Sequence, residues 1–505
     1  MIDPSAIRTQ NSREQEGGFP ASEVERATGS KTLRGNRLEL QYEGSSTFNS
    51  WLEGISRAQR MVYLENYLIR DDRVGRAFRD VLIEKARSGV PVYVIYDWVG
   101  CWATPRSYWK PLRQAGVHVR AFNPLSLGIG DPFGILRRDH RKLIVLDGKV
   151  AYVGGFCLGV EWVGRPTHPA WRDTAVKISG PAARVAAHAF EATWCGMGES
   201  LALSQQLPIL SDVGDTPVWL IEGEPGRTRV YRTIHWVAAR AKERVWITDA
   251  YFVAPRSVSE ALGAAAQQGV DVRILVPAHN NWPLVGSLSR GGYRSLLKSG
   301  VRIFEWQGPM IHAKTAVVDG IWSRVGSSNL NSASLIGNWE LDVGVLDTKL
   351  AGQLEELFLT DLSSSIEIVL PGQRFKQGIK IPESSGATES LDPQGTLPER
   401  MMQIRTLGAA QGRITMAPLV RARGALGDSL AGDRPIGREG RTVLGTVSAI
   451  ILSTAIIAAF FPTFVGAMIA LVAGWFGLTT GIRAYLQSRR ARSEEREALT
   501  TAELD

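Results

Sequence analysis

One nine-residue pattern occurs twice in this chain: His140-Arg-Lys142-Leu-Ile-Val-Leu-Asp147-Gly148 and His312-Ala-Lys314-Thr-Ala-Val-Val-Asp319-Gly320. The recurrence belongs to a larger one. Tyr63-Leu-Glu-Asn-Tyr67 is echoed by Ile247-Thr-Asp-Ala-Tyr251, Gly89-Val-Pro-Val by Gly269-Val-Asp-Val, and Gly116-Val-His-Val by Gly300-Val-Arg-Ile, at offsets of 180 to 184 residues. The two motifs stand 172 apart, so the first half carries about twelve additional residues before His140, in the apolar segment Phe122–Gly134. A chain made of two similar halves is expected to fold as two similar lobes, and paired motifs imply one composite site between them.

Within each half, short β-rich runs such as Val92–Tyr96, Leu143–Leu146 and Val272–Val276 alternate with helical periodicity. One helix presents Val74, Phe78, Val81 and Leu82 on a single face and stops at Gly89 before the strand 91–96. The expected class is α/β, two pseudosymmetric lobes of mixed sheet flanked by helices and sharing one cleft. Their bounds are placed at 35–210 and 211–370. The first 34 residues are polar and are expected to be a disordered arm, without the apolar core of a secretory signal.

Beyond residue 370 the texture changes. Residues 371–441 contain a single aromatic, Phe375, and are rich in Gly, Pro, Ser and Arg, the composition of a flexible linker. Residues 442–482 carry no charge. A single helix of that length would run about 60 Å against a hydrocarbon core of about 30 Å, so Pro462 is read as the turn of a transmembrane hairpin. Arginines flank both ends, which places both in the cytoplasm with a basic-then-acidic tail, 483–505. The 505 residues carry 58 Lys plus Arg against 50 Asp plus Glu, with a pI near 9.4, which favours anionic partners. Three cysteines, 101, 157 and 195, match neither a disulfide framework nor a metal-ligand spacing.

On a strand, residues two apart share a face, so His140 and Lys142 project together, as do His312 and Lys314. Two imidazoles and two ammonium groups around one volume suit a phosphodiester. The lysines offset its charge, one imidazole attacks phosphorus, and the other protonates the departing alkoxide. Neither a metal nor a cofactor is called for. After each aspartate, at one spacing, come Gly154-Gly155-Phe156-Cys157 and Gly326-Ser327-Ser328-Asn329. Small residues at Gly154, Gly155 and Ser327 let backbone amides approach a phosphate, and Asn329 adds a donor.

A duplicated His-x-Lys-x4-Asp followed by Gly-Ser-x-Asn resembles the hallmark of the phospholipase D superfamily over about 35–370. The segments 63–67, 89–97, Ala170-Trp-Arg-Asp-Thr174, Gly180-Pro181 and Pro309-Met-Ile-His-Ala-Lys-Thr315 look most like bacterial cardiolipin synthases. The resemblance implies two phospholipase D-like lobes and transfer of a phosphatidyl group from one phosphatidylglycerol to another, with cardiolipin and glycerol as products. It implies His140 as nucleophile and His312 as acid, then base. Lys142, Lys314 and Asn329 would bind phosphate, Asp147 and Asp319 would complete the motifs by bracing their strands, and Asp173 and Glu340 would fix the imidazoles. Cys157 departs from the family pattern, which has Asn there. The implied setting is the bacterial inner membrane, with anionic phospholipids as partners and no nucleic acid. Two other readings of the same motifs are a hydrolase giving phosphatidic acid and a nuclease; the latter lacks the expected stripe of basic and aromatic residues.

Overall fold

The structure, a computed structural model, describes residues 18–124, 137–166, 168–207 and 210–370. The expected linker, apolar run and tail lie outside the described residues, as does most of the segment 122–134. Among the described residues no helix is long and apolar enough to cross a membrane.

The chain opens with α1 (Ala21–Thr28) and β1 (Leu33–Gln41). Helix α1 falls inside the stretch expected to be a disordered arm. It is amphipathic, burying Val24 and Ala27, and with Phe19 it packs on the second lobe, contacts that the polar average of residues 1–34 concealed. The first lobe continues through α2 (Gly44–Arg57), β2 (Val62–Asn66), α3 (Arg73–Arg87), β3 (Val92–Asp97), α4 (Arg106–Gln114), β4 (His118–Phe122), β5 (Lys142–Leu146), β6 (Val150–Gly154), β7 (Ala175–Ser179) and α5 (Pro181–Gly196). Helix α3 forms where periodicity places it. Val74, Phe78 and Leu82 are buried, Asp72 caps its N-terminus through the amides of Val74 and Gly75, and Gly89 follows at φ +85°.

The second lobe repeats the scheme: β8 (Thr216–Gly223), α6 (Arg229–Arg240), β9 (Arg244–Asp249), α7 (Arg256–Gln267), β10 (Asp271–Pro277), α8 (Pro283–Lys298), β11 (Arg302–Trp306), β12 (Lys314–Val318), β13 (Trp322–Gly326), β14 (Glu340–Leu346), α9 (Thr348–Ser363) and β15 (Ser365–Ile368). In each lobe three parallel strands, β2-β3-β4 or β9-β10-β11, are extended antiparallel by the motif strand, β5 or β12. Every residue of β2, β5 and β12 is buried, as expected of strands covered on both faces. Register places β2 and β9 at an offset of 183, since Val62 faces Leu146 where Val245 faces Val318. The Tyr67–Tyr251 offset is 184, so one extra residue precedes Tyr251, and Asn66 rather than Glu65 is the counterpart of Asp249.

The lobes are not two sheets. Their strands join into one sheet of fifteen, ordered β15-β11-β10-β9-β12-β13-β14-β8-β1-β7-β6-β5-β2-β3-β4, with the seam at β1 and β8. The apolar core divides accordingly. One outer cluster lies under α2, α3 and α4, another under α6, α7 and α8. A central cluster mixes both halves: Leu143, Val145 and Val153 meet Val317, Val325, Leu341 and Val343, with the alanine face of α5 (Ala182, Ala183, Ala186, Ala187) packed against them.

Candidate active site

The ends of β2, β3 and β9 and the starts of β5, β12 and β14 share one end of the sheet, and both motif histidines sit there. Each is the residue two before the first lysine of its strand, held in extended backbone by the opposite lobe. The His140 amide donates to Trp339 O (2.9 Å) and the His312 amide to Arg172 O (2.6 Å). Bridges Asp139–Trp339 and Arg172–Ile311 repeat this exchange one residue upstream.

The side chains exchange partners too. His140 Nδ1 lies 3.0 Å from both carboxylate oxygens of Glu340, and His312 Nδ1 lies 2.7 Å from Asp173 Oδ2. Each imidazole is therefore oriented by a carboxylate from the other half of the chain. With Nδ1–H donated to a carboxylate, Nε2 keeps its lone pair. The carboxylates are themselves fixed: Ser327 Oγ donates to Glu340, and Trp162 Nε1 (2.7 Å) and the Thr174 amide (2.8 Å) donate to Asp173. Lys142 and Lys314 are buried and donate to the carbonyls of His140 and His312. Tyr67 packs edge-on to His140 with ring centroids 5.0 Å apart and lies 5.2 Å from Lys142 Nζ. Tyr251 does the same for His312 and Lys314, at 5.7 and 5.5 Å.

Burial shapes the electrostatics. Burial and the neighbouring Lys314 push His312 down to about 3, against the pull of Asp173; Trp162, Trp171 and Tyr251 enclose its ring. His140 is lowered as well, by burial first and by both lysines, while Glu340 opposes. Lys142 and Lys314 thus each act on both histidines, which places the four groups within one electrostatic neighbourhood. Lys314 falls to about 8 through burial and Lys142. Asp173 and Glu340 lie below the usual carboxylate range: burial alone would raise them, but the adjoining imidazoles and lysines outweigh it.

Other expected site residues lie elsewhere or act differently. Asp147 and Asp319 stand at the far ends of β5 and β12, on the order of 20 Å from the histidines at about 3.3 Å per residue. Each occupies the first inner position of a turn with positive φ, +55° and +52°, followed by glycine. Asp147 Oδ1 accepts the amides of Gln59, Arg60 and Met61, and Asp319 accepts those of Lys242, Glu243 and Arg244. They tie each motif hairpin to the start of β2 or β9, and neither reaches the reacting groups. Gly154 and Gly155 are small because of β7 and Asp173: a Cβ on Gly155 would stand 2.0 Å from Asp173 Oδ1, and one on Gly154 2.4 Å from Ala175 Cα. Ser327 is occupied with Glu340. Asn329 is buried, its Oδ1 without a hydrogen-bond partner among the described residues. Cys157, its counterpart, is buried within the electrostatic reach of both lysines and Asp173, and burial raises its thiol.

The sequence reading passed over a buried charged cluster behind His140. Asp97 accepts the amides of Val99, Gly100 and Asp139 and faces Arg138. Asp139 lies beside Glu65, and burial raises all three acids; proximity to Glu65 lifts Asp139 further. Arg141 offsets them and reaches across to Glu340 O (3.2 Å) and Glu222 (3.4 Å). The second lobe has Pro277 at the strand position of Asp97 and Ile311 at that of Asp139, so this cluster marks the first lobe alone. Buried acids on adjacent strands leave no periodic trace; only the acid-rich spacing Glu65, Asp97, Asp139 within apolar strands could have signalled it.

A family model described as cardiolipin synthase, PLD-like domain, matches residues 52–161 and 237–362, one block per lobe. Cardiolipin synthase A of Pseudomonas aeruginosa (strain LESB58) is 33% identical over 352 residues, covering 69% of this chain and 71% of the relative. Cardiolipin synthase of Geobacillus thermodenitrificans (strain NG80-2) is 35% identical over 342 residues, covering 66% of this chain and 67% of the relative. In fold, the chain is similar to the crystal structure of phosphatidylserine synthase from Haemophilus influenzae Rd KW20, with TM-score 0.55 at 13% identity over 68% of this chain and 92% of that one.

Proposed function

Because the chain belongs to the cardiolipin synthase family of the phospholipase D superfamily, as an enzyme of the phosphatidyltransferase class, we propose that it joins two phosphatidylglycerol molecules into cardiolipin and releases glycerol. The observation that carries the reading is the crossed pairing of His140 with Glu340 and of His312 with Asp173, beside Lys142 and Lys314, each of which acts on both imidazoles.

His140 Nε2 attacks the phosphorus of the first lipid, the bond from phosphorus to the glycerol headgroup oxygen breaks, and His312 Nε2–H protonates that oxygen. The phosphatidyl group is then on His140. A headgroup hydroxyl of a second phosphatidylglycerol gives its proton to His312, attacks phosphorus and expels His140. Lys142, Lys314 and Asn329 hold the phosphoryl oxygens. Before substrate binds, the lysines help hold both imidazoles unprotonated, and an arriving phosphodiester anion offsets them, which lets one imidazole carry the proton the first step consumes. The reverse order has an observation in its favour: His312 is pushed to about 3, which keeps it a free base. The apolar run 442–482, read from sequence alone, is the membrane hairpin that would keep the lobes beside the inner membrane.

The decisive experiment is product analysis of purified protein in phosphatidylglycerol vesicles. Cardiolipin and glycerol in equal amounts are expected, with both lost in His140→Ala and His312→Ala. Phosphatidic acid as the main product would replace the transferase with a hydrolase. Mass spectrometry after acid quenching identifies the modified histidine: labelled His140 is expected, and labelled His312 reverses the roles.

A further inference from the structure

Among the described residues seven large hydrophobic side chains are exposed, and four of them, Tyr42, Trp102, Trp282 and Ile336, flank strand ends at the end of the sheet that carries the motif histidines. Trp102 and Trp282 are 51% and 61% exposed. They hold equivalent places, five residues beyond the last residues of β3 and β10, so the pseudosymmetry puts one on each side of the cleft.

The residues just before each tryptophan meet the tyrosine strand end next to that lobe's motif histidine. Beside Trp102, Cys101 Sγ accepts the Ile69 amide and donates to Tyr67 O, and Gly100 lies against that carbonyl so closely that a Cβ would stand 1.9 Å from it. Tyr67 is the ring edge-on to His140. Beside Trp282, Asn281 Oδ1 accepts the Tyr251 hydroxyl (2.8 Å) and Asn280 Nδ2 donates to Ala250 O (3.0 Å). Tyr251 is the ring edge-on to His312. On the remaining sides, Tyr42 lies under the guanidinium of Arg172, whose carbonyl holds the His312 amide. Ile336 precedes Trp339, whose carbonyl holds that of His140. Tyr108 and Trp109 of α4, close by in sequence, are buried core and play no part in this surface.

Charge is distributed to match. Fifty of the 505 residues are Asp or Glu, yet none occurs in 98–130 or 272–304, the segments that contain Trp102 with α4 and Trp282 with α8. Arg106 and Lys110 near the first rim, and Arg294 and Lys298 further along α8, are exposed and make no ion pair among the described residues. Amphipathic indole rings in two acid-free segments that carry exposed basic residues suit the headgroup layer of an anionic bilayer, where ring and cation each contribute to binding.

We propose that this end of the sheet is a bilayer-docking face, with Trp102 and Trp282 as its two principal anchors and Tyr42 and Ile336 beside them. Docked this way, the cleft meets the headgroups while diacylglycerol chains remain in the membrane. The proposal deepens the phosphatidyltransferase reading and rests on it for the identity of the lipid.

Two readouts on the full-length protein separate the ideas. In phosphatidylglycerol vesicles containing brominated phosphatidylcholine, wild-type tryptophan emission is quenched, and Trp102→Phe/Trp282→Phe loses a measurable share of that quenching. Unchanged quenching overturns the docking face whatever the enzyme does. In kinetics, Trp102→Ala/Trp282→Ala lowers kcat/KM on long-chain vesicles about tenfold or more and leaves monomeric dihexanoyl phosphatidylglycerol within about twofold, which also shows that the variant is folded. Equal loss on both substrates overturns the proposal. Quenching that falls as expected in a protein that transfers neither lipid sustains docking and removes the transferase reading.

Discussion

At the scale of single residues, each reacting imidazole depends on a carboxylate from the opposite half of the chain: His140 on Glu340, His312 on Asp173. His140, Lys142, His312 and Lys314 could be read off because duplication makes an accidental match improbable. That Glu340 serves His140 and Asp173 serves His312 could not, since order along a chain does not say which lobe a carboxylate faces. Removing either charge while keeping its shape tests the arrangement. Glu340→Gln and Asp173→Asn are expected to lower kcat roughly 10²- to 10⁴-fold with little change in KM, by loss of imidazole orientation and charge compensation. A fall confined to KM would assign these acids to lipid binding instead. Lys314, lowered to about 8, gives a second prediction. Above that pH it loses its proton and its hold on phosphate, so kcat/KM falls on an alkaline limb near 8. Lys314→Arg, whose guanidinium stays charged, shifts that limb upward; a limb that does not move belongs to another group.

At the scale of elements, the two motif hairpins explain why the pattern ends in Asp-Gly. The turn demands positive φ at two successive positions, which Asp tolerates and Gly accepts freely, and the Asp carboxylate gathers three backbone amides at the start of the neighbouring strand. The aspartate was legible as a brace, whereas the distance from the chemistry became visible only once strand length and direction were fixed. Asp147→Ala and Asp319→Ala are each expected to cost about 1–3 kcal/mol in urea unfolding, while kcat of the folded fraction stays within a few-fold. A variant of full stability without turnover would return the aspartate to the catalytic group. Helix α3 and its Gly89 stop were legible from periodicity because nothing tertiary competes there. Helix α1 was not, because eight residues of mixed polarity acquire an apolar face only against α6.

At the scale of the whole molecule, two lobes were expected and are present, but they are built as one sheet around a common core. The β1–β8 seam, the central cluster and the buried Arg141 link all cross the midline. Neither half keeps a complete core alone, so calorimetry of the full chain is expected to show both lobes melting in one transition. Two resolved lobe transitions would mean that the seam is weaker than the packing implies. The seam also leaves the cleft little freedom to open by hinging, which is consistent with substrate arriving at its rim rather than through a closing lid.

The crossed carboxylates have a genetic consequence. Damage to this protein sorts along diagonals and not by half: His140 and Glu340 form one functional unit, Asp173 and His312 the other, although each unit is split between ancestral copies. His140→Ala combined with Glu340→Gln should then be scarcely worse than His140→Ala alone, because the second change strikes a unit already silent. For the same reason neither copy can drift toward a private chemistry, since whatever alters one disarms a residue that belongs to the other.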